Sequence, residues 1–365
     1  MVPDAEKLDS VYLSNKQMLK SYPGKNRTYD ICKNGYMLFT FDDNDLECFF
    51  CHSPCYKDLN NTQAAATMDY LPLSEQLEAM LLSKKYRDTF QQTYEREEDD
   101  IYYTDIFDGQ QFKQHEHLFP GKFDTACALY VDGFSPFKKR GLNGAVSMTI
   151  VHIIILNLPS SERYKLHNML TCCIIPGPLK PRSTHSFLAP LFDELASLST
   201  NGMIIKMDGE PDIHLHLNLL LATRDFPGIA DMVFHSGHSS VFGCHICRIE
   251  SSSQLSPNGL GNDQYFPGGI GLEMERTLEE FQGKLRDYGI YDGTPFGVLP
   301  SFKNAFFMGC DEMHLLQNIS RQLIDMFNTM GNSWDIWDIW DIWDKTFFTK
   351  KEKESKYLSV FCNGG

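Results

Sequence analysis

Four apolar runs separated by polar stretches dominate the middle of the chain. They cover residues 126–131, 148–156, 171–175 and 214–222, and each has the length of a buried strand. Residues 187–199, with the sequence FLAPLFDELASLS, instead carry apolar side chains at helical spacing. Strands that alternate with helices in this way predict an α/β fold, in which a mixed sheet is flanked by helices.

Helical patterns also lie on both sides of this core. Within residues 74–98, apolar side chains recur near helical spacing at Leu77, Leu81, Tyr86, Phe90 and Tyr94. This pattern predicts a helical linker or a helix packed on the core. A further helix is predicted at residues 313–327.

The patterns divide the chain into six segments. These are a tail with a small cysteine module at 1–60, a helical linker region at 61–120, the core at 121–250, a Gly-, Ser- and Pro-rich insertion at 251–300, a helix with nearby acidic residues at 301–330, and a low-complexity tail at 331–365. The tail contains WDIWDIWDIWD at 334–344, which fits neither a heptad nor a helical period. Because all four tryptophans lie there, we interpret it as a repeat expansion and favour disorder over base stacking.

Composition narrows the class of protein. Of 365 residues, 42% are hydrophobic, which is enough for a sizeable core. The first residues lack the basic start and apolar run of a secretory signal, and the apolar stretch 146–158 is shorter than the roughly 20 residues of a membrane helix. Eleven cysteines, an odd number, favour reduced thiols and metal ligands over disulfides. We therefore expect an intracellular protein without a membrane partner.

The negative net charge of the chain argues against binding to nucleic acid. The formal charge is −15, whereas affinity for phosphates comes largely from Lys and Arg. The acidic residues cluster at 42–47 and 95–100, and a local basic group stands at 138–140, where a solvated turn is the more common interpretation. The net charge alone does not decide whether the protein binds nucleic acid.

Two aspartates stand where predicted strands end. Asp132 follows the run 126–131 and precedes Gly133, and Asp225 follows the run 214–222 in the sequence Thr-Arg-Asp-Phe-Pro-Gly. Ligands gather at strand ends in such sheets, so the two carboxylates are candidates for one Mg²⁺ site that cleaves phosphodiesters. The alternative is that each aspartate is a turn residue that caps its own backbone.

A Cys-x₂-Cys pair forms half of a candidate zinc site. Cys244 and Cys247 have the spacing of zinc ligands, and His235 and His238 lie just upstream as candidate partners. The alternative is that both thiols are small buried apolar groups.

The order of several motifs resembles the CACTA-type (En/Spm-like) DNA transposases. The motifs are DGFSPF at 132–137, NLPSSERYKLHNM at 157–169, IIPGPLKP at 174–181, LAPLFDELASL at 188–198, RDFPG at 224–228 and CHIC at 244–247, flanked by YDICKNG at 29–35, TDIFDGQQFK at 104–113 and GCDEMHLLQNI at 309–319. The resemblance implies a ribonuclease-H-like fold and a nuclear enzyme. It further implies metal-dependent cleavage and strand transfer at the terminal inverted repeats of its own element, with DNA as partner and a homo-oligomer as a further possibility.

The resemblance also assigns roles to residues. Asp132 and Asp225 would be the first two catalytic carboxylates holding Mg²⁺ or Mn²⁺, and an acidic residue beside Met313-His314 would be the third. Asp311 and Glu312 are the two candidates for this third carboxylate, and we select Asp311.

The amino-terminal cysteines resemble a zinc ribbon that has lost one ligand. Cys32, Cys48 and Cys51 match the pattern, but Tyr36 stands where the resemblance predicts a second thiolate. Tyrosine is a poor zinc ligand, so either His52 or Cys55 completes the site or the site binds zinc weakly.

Two rival hypotheses remain. One is an inactive transposase-derived remnant, which acts, if at all, as a zinc-binding or interaction protein. Three features favour it: Tyr36 replaces a zinc ligand, the motif at Met313 does not assign a single third acid, and the repeat stands where the family continues with helices. An unrelated zinc-binding module explains the cysteines but not the ordered motifs.

Overall fold

The computed structural model describes most of the chain between residues 26 and 324. The described residues are 26–39, 46–58, 60, 63–96, 103–135, 147–255, 262–266, 274–283, 288–310, 316, 320–321 and 324. Asp311, the basic group 138–140, the repeat 334–344 and most of the predicted helix 313–327 lie outside them.

A seven-stranded mixed sheet forms the centre of the described structure. Its strands, in chain order, are β1 (Arg27–Ile31), β2 (Ala66–Tyr70), β3 (Thr125–Phe134), β4 (Met148–Ile155), β5 (Met169–Ile175), β8 (Leu217–Arg224) and β11 (Met308–Cys310). Their spatial order is β1-β2-β5-β4-β3-β8-β11. Two small two-stranded sheets pair β6 (Met203–Ile205) with β7 (Ile213–Leu215) and β9 (Ser252–Leu255) with β10 (Asn262–Tyr265).

Strand direction changes at β3. The pairs from β1 through β2, β5 and β4 to β3 are antiparallel, whereas β3 with β8 and β8 with β11 are parallel. Strand β3 is therefore the interior strand that joins the antiparallel and parallel parts of the sheet, and its carboxyl end lies at the same sheet edge as those of β5, β8 and β11.

Helices surround this sheet. They are α1 (Leu73–Leu81), α2 (Lys84–Tyr94), α3 (Gln110–Lys113), α4 (Ser160–Arg163), α5 (Thr184–Thr200), α6 (Phe226–Met232) and α7 (Leu278–Phe281). Short 3₁₀ turns occupy Ile106–Asp108, Glu116–Leu118, Pro295–Val298 and Ala305–Phe307.

Helix α5 covers one face of the sheet because its apolar side chains recur every three to four residues. Phe187, Leu188, Leu191 and Leu195 are at most 1% exposed, and they share the main core with β3, whose Val131 is fully buried. The opposite face carries a smaller apolar cluster that includes Phe107 and Phe112.

The predicted α/β class with a mixed sheet and flanking helices is confirmed, with two differences in detail. The run 214–222 is divided between β7 and β8, so the strand leading to Asp225 begins at Leu217. The described part of the predicted helical segment 74–98 contains two helices, α1 and α2, separated by Leu82 and Ser83. No helix among the described residues is long and apolar enough to cross a membrane.

Candidate functional site

The two predicted aspartates follow neighbouring strands at one edge of the sheet. In the parallel pair of β3 with β8, Tyr130 stands opposite Thr223, two residues before Asp132 and Asp225 respectively. The backbone of Asp225 is still extended, with φ −61° and ψ 159°. Since neighbouring strands lie about 4.8 Å apart, the carboxyl ends of β3 and β8, which lead to the two aspartates, are neighbours at this edge.

Asp132 faces solvent on the sheet face opposite α5. Val131 is buried in the main core, and side chains alternate along a strand, so Tyr130 and Asp132 share the other face. One carboxylate oxygen of Asp132 accepts the Gly133 N–H at 2.8 Å, and the other accepts the Tyr130 hydroxyl at 3.3 Å. The tyrosine therefore orients the carboxylate, a contact that the sequence pattern did not reveal.

Asp225 is half-buried and serves as the N-cap of α6. Its Oδ1 accepts the Gly228 N–H at 2.9 Å, an interaction that satisfies one free N–H of the first helical turn. The turn interpretation weighed from the sequence therefore describes a real contact of Asp225. The cap uses Oδ1, and a carboxylate oxygen has more than one lone pair, so capping does not prevent Asp225 from binding a cation.

Divalent cations fit the chemistry of this pair. Mg²⁺ and Mn²⁺ prefer carboxylate oxygens, and here two carboxylates follow adjacent strands with at least one of them open to solvent. The nearest basic side chain in sequence, that of Arg224, forms an ion pair with Asp231 at 3.3 Å.

The third predicted acid, Asp311, lies outside the described residues. The preceding residue, Cys310, ends β11 and pairs with Arg224, which itself precedes Asp225. The prediction for Asp311 therefore stays a prediction.

Three of the amino-terminal thiols come together. The Sγ atoms of Cys32, Cys48 and Cys51 lie within 4.8 Å of one another, and those of Cys32 and Cys51 are 3.5 Å apart. Thiolates around a tetrahedral zinc ion, at about 2.3 Å from the metal, have a similar separation. This cysteine cluster therefore has the donor set and the spacing to bind zinc.

Hydrogen bonds prepare one member of the cluster to be a thiolate. Burial raises the pKa of Cys51, but hydrogen bonds from Ser53 and Asn34 outweigh burial and lower the pKa to about 6. For Cys48, burial dominates and raises the pKa to about 11. A bound cation would favour the thiolate form of both residues.

His52 and Cys55, the two residues proposed to complete the cysteine cluster, lie in different surroundings. The ring of His52 is exposed and its Nδ1 lies 3.3 Å from Glu47. Cys55 is buried in the apolar centre of the module, where desolvation raises its pKa to about 11. Tyr36 packs edge-to-face on Phe50, with ring centroids 6.4 Å apart. Neither His52 nor Cys55 joins the group of close thiols within the described residues, and Tyr36, which stands in place of a ligand, contributes its ring to the packing.

The second predicted zinc set is not gathered in the same way. Within the described part of the chain, Cys244, Cys247, His235 and His238 do not form a group of close ligand atoms. His235 is buried and its two ring nitrogens contact the Phe242 carbonyl at 2.8 Å and the Gly237 N–H at 3.1 Å. His238 is exposed.

A buried ionic network next to Cys244 had no signal in the sequence patterns. The Arg276 guanidinium donates to the Cys244 carbonyl at 2.9 Å and lies 3.5 Å from Glu280, and both side chains are fully buried. Arg248 contacts the same carboxylate at 2.9 Å. This network ties the segment around the Cys-x₂-Cys pair to helix α7.

Comparison with known families supports a transposase family. Residues 104–263 match the family model described as transposase family tnp2. That segment includes Asp132, Asp225, Cys244 and Cys247, whereas the cysteine cluster and Asp311 lie outside it. A comparison with curated proteins gives no match. The chain thus carries, over residues 104–263, the sequence pattern of a transposase family.

Proposed function

We propose that this chain is a CACTA-type (En/Spm-like) DNA transposase that cleaves and joins DNA at the terminal inverted repeats of its element. The observation that carries the proposal is the register of β3 with β8, in which Tyr130 and Thr223 pair two residues before Asp132 and Asp225, inside the segment that matches a transposase family. Phosphodiester cleavage in two-metal sites needs carboxylates placed side by side.

The proposed fold is ribonuclease-H-like. Three consecutive antiparallel strands, β3, β4 and β5, are followed by helix α5 and then by β8 and β11, which add in parallel on the other side of β3. This connectivity supports the proposal, because it places β3 between β4 and β8 and collects the carboxyl ends of β3, β8 and β11 at one edge.

The proposed roles follow from position. Asp132 and Asp225 would hold Mg²⁺ or Mn²⁺, with Asp311 as the third ligand because it follows Cys310, the partner of Arg224. When bound, such ions activate a water molecule and neutralise the leaving oxygen. Tyr130 would orient Asp132 through its hydroxyl group.

Zinc would have a structural role in this proposal. The cysteine cluster offers three thiols, and Cys244 with Cys247, helped by His235 and His238, is proposed as a second site. For an enzyme acting on chromosomal DNA we propose a nuclear location, and an assembly of several copies would bring two element ends together.

The test is cleavage of DNA that carries the ends of the encoding element. The full chain with Mg²⁺ or Mn²⁺ should cleave this DNA, and Asp132→Asn and Asp225→Asn should each abolish cleavage while the fold is retained. Asp88→Asn, which removes a surface carboxylate paired with Lys84, serves as the matched control and should cleave normally. Cleavage that survives either active-site substitution would reject the assignment. No cleavage by the unmodified chain would favour the inactive remnant.

A further inference from the structure

The loop at 176–183, between β5 and α5, lies at the same sheet edge as the candidate active site. Gly133 pairs with Thr149, and Thr149 pairs with Ile175, the last residue of β5. The loop therefore starts two strands away from Asp132, at a distance of about 10 Å for strands spaced about 4.8 Å apart. It is close enough to contact DNA whose phosphate is held at Asp132.

The turn that follows Cys32 holds this loop in place. The Asn34 carbonyl accepts the Leu179 N–H at 3.3 Å, and the Tyr36 carbonyl accepts the N–H groups of Arg182 and Ser183, each at 3.0 Å. Between them, Gly35 adopts φ +78°, and a Cβ there would stand 2.7 Å from the Pro176 carbonyl oxygen. Only glycine allows so close an approach at this dihedral angle.

A row of rings and a cation crosses the junction. The Arg182 guanidinium lies 5.2 Å from the centre of the Tyr36 ring, which packs on Phe50 at 6.4 Å. Phe50 in turn packs edge-to-face on Phe49 at 5.4 Å. Phe49 ends the row and is 77% exposed. Tyr36, the residue that replaces a predicted zinc ligand, thus contacts the cation at the opposite end of the row from Phe49.

Cations lie at the Arg182 end of the row, whereas the Phe49 end follows the acidic residue Glu47. Lys33, Lys180 and Arg182 are exposed, and in the described residues none of them forms an ion pair with a carboxylate. Residues 176–183, with the sequence PGPLKPRS, contain no acidic residue. Single exposed apolar residues are common on proteins, but an exposed ring joined to an unpaired cation by a row of rings has the chemistry of a nucleic-acid surface.

We propose that Lys33, Tyr36, Phe49, Lys180 and Arg182 form a strand-binding surface that holds an unpaired DNA strand leading to the active site. The cations would contact successive phosphates, and Phe49 would stack on a base, which only a strand without a partner exposes. This inference rests on the proposed function, because it names the DNA form that the same edge receives.

The test measures binding of a fluorescein-labelled, mixed-sequence single-stranded oligonucleotide to the full chain by fluorescence anisotropy over a range of salt concentrations. Phe49→Ala should weaken binding by about fivefold or more, the loss expected for one stacked base. The double variant Lys180→Ala/Arg182→Ala should lower the slope of log affinity against log salt by about 1.4, since each contact with a single strand contributes about 0.7.

Matched controls come from outside the strand-binding surface. Leu166→Ala removes a side chain as exposed as Phe49, and Lys206→Ala removes a highly exposed lysine. Both should bind the oligonucleotide as the unmodified chain does. Circular dichroism should show the same fold for all variants, so that a change in binding reports the surface.

The outcomes separate this inference from the proposed function. The strand-binding surface is rejected if the surface variants bind the single strand as tightly as their controls. It is also rejected if duplex DNA binds better than the single strand and loses affinity equally in all variants. Both rejections hold even when the chain cleaves element ends. Weak binding by the surface variants alone supports the inference, even in a chain that does not cleave. The inference is also overturned if the surface variants bind DNA as the unmodified chain does but lose binding to another protein.

Discussion

Asp225 has two separable duties, and two substitutions distinguish them. Its carboxylate caps α6 through the Gly228 N–H at 2.9 Å, and it is also the proposed metal ligand. Asp225→Asn keeps an oxygen at the cap but removes the negative charge. Asp225→Ala removes both. The turn interpretation and the catalytic interpretation therefore make different predictions for the same pair of proteins.

The expected magnitudes follow from the capping contact. Asparagine caps helices about as well as aspartate, so Asp225→Asn should leave the free energy of unfolding nearly unchanged. Asp225→Ala should lower it by about 1 kcal/mol, which corresponds to roughly 2–4 °C in melting temperature for a domain of this size. Both variants should lose metal-dependent cleavage, because neither retains the charge that binds the cation.

The assay combines thermal unfolding with cleavage of element-end DNA in Mn²⁺. Asn304→Ala is the matched control, because Asn304 caps the turn Ala305–Phe307 by accepting the Phe306 N–H at 3.0 Å. This control should lose stability and keep cleavage. If Asp225→Asn cleaves DNA like the unmodified chain, Asp225 is a cap and nothing more, and the reasoning from strand register fails.

Three further predictions concern the cysteines and the buried ionic network. Cys244→Ser with Cys247→Ser should lower the zinc content of the purified, folded chain by one ion, and unchanged zinc would reject that site. Tyr36→Cys should raise zinc affinity at the cysteine cluster, measured by competition with a chelator, and unchanged affinity would mean that another residue already completes the site. Glu280→Gln should lower the free energy of unfolding by about 3 kcal/mol because it leaves Arg276 buried without its counter-charge, and a loss below 1 kcal/mol in denaturant titration would contradict this.

The same network predicts how stability depends on pH. Burial opposes ionisation of Glu280, but the hydrogen bonds from Arg248 and from the Thr277 N–H outweigh it and lower the pKa of Glu280. Because the folded pKa lies below the unfolded one, the stabilisation is present above the usual carboxyl range and is lost as pH falls through the folded pKa. The Glu280→Gln variant should lose part of this acid dependence.

The fold class was predictable because the core obeys simple periodicity. Strands β3, β4 and β5 coincide with continuous apolar runs, since both of their faces are covered, and α5 shows apolar positions at helical spacing. The break between β7 and β8 was not predictable, because no glycine or proline marks it. The amino-terminal strands β1 and β2 also escaped prediction, as they are short and mix polar with apolar residues.

The candidate site was predictable only in part. Asp132 and Asp225 stand out because each follows an apolar run, but their register depends on which strands pair, and a sequence pattern does not contain that information. Tyr130 and Arg276 carry no local signal at all, since their partners depend on the folded backbone. The cysteine cluster joins Cys32 and Cys51, which are 19 residues apart in sequence. The spacing of its cysteines predicted this group more directly than the apolar runs predicted the pair of aspartates.

The geometry of the amino-terminal module links metal binding to the active-site edge. The turn that presents Cys32 to the cluster also carries the carbonyls of Asn34 and Tyr36, which bind the loop at 176–183. A metal that fixes Cys32 would therefore fix this loop as well, without any contact with DNA. Substitution of Tyr36 by cysteine would strengthen the first effect and remove the ring beneath Arg182. Zinc affinity and single-strand affinity should thus change in opposite directions at this one position, which a purely degraded zinc site does not explain.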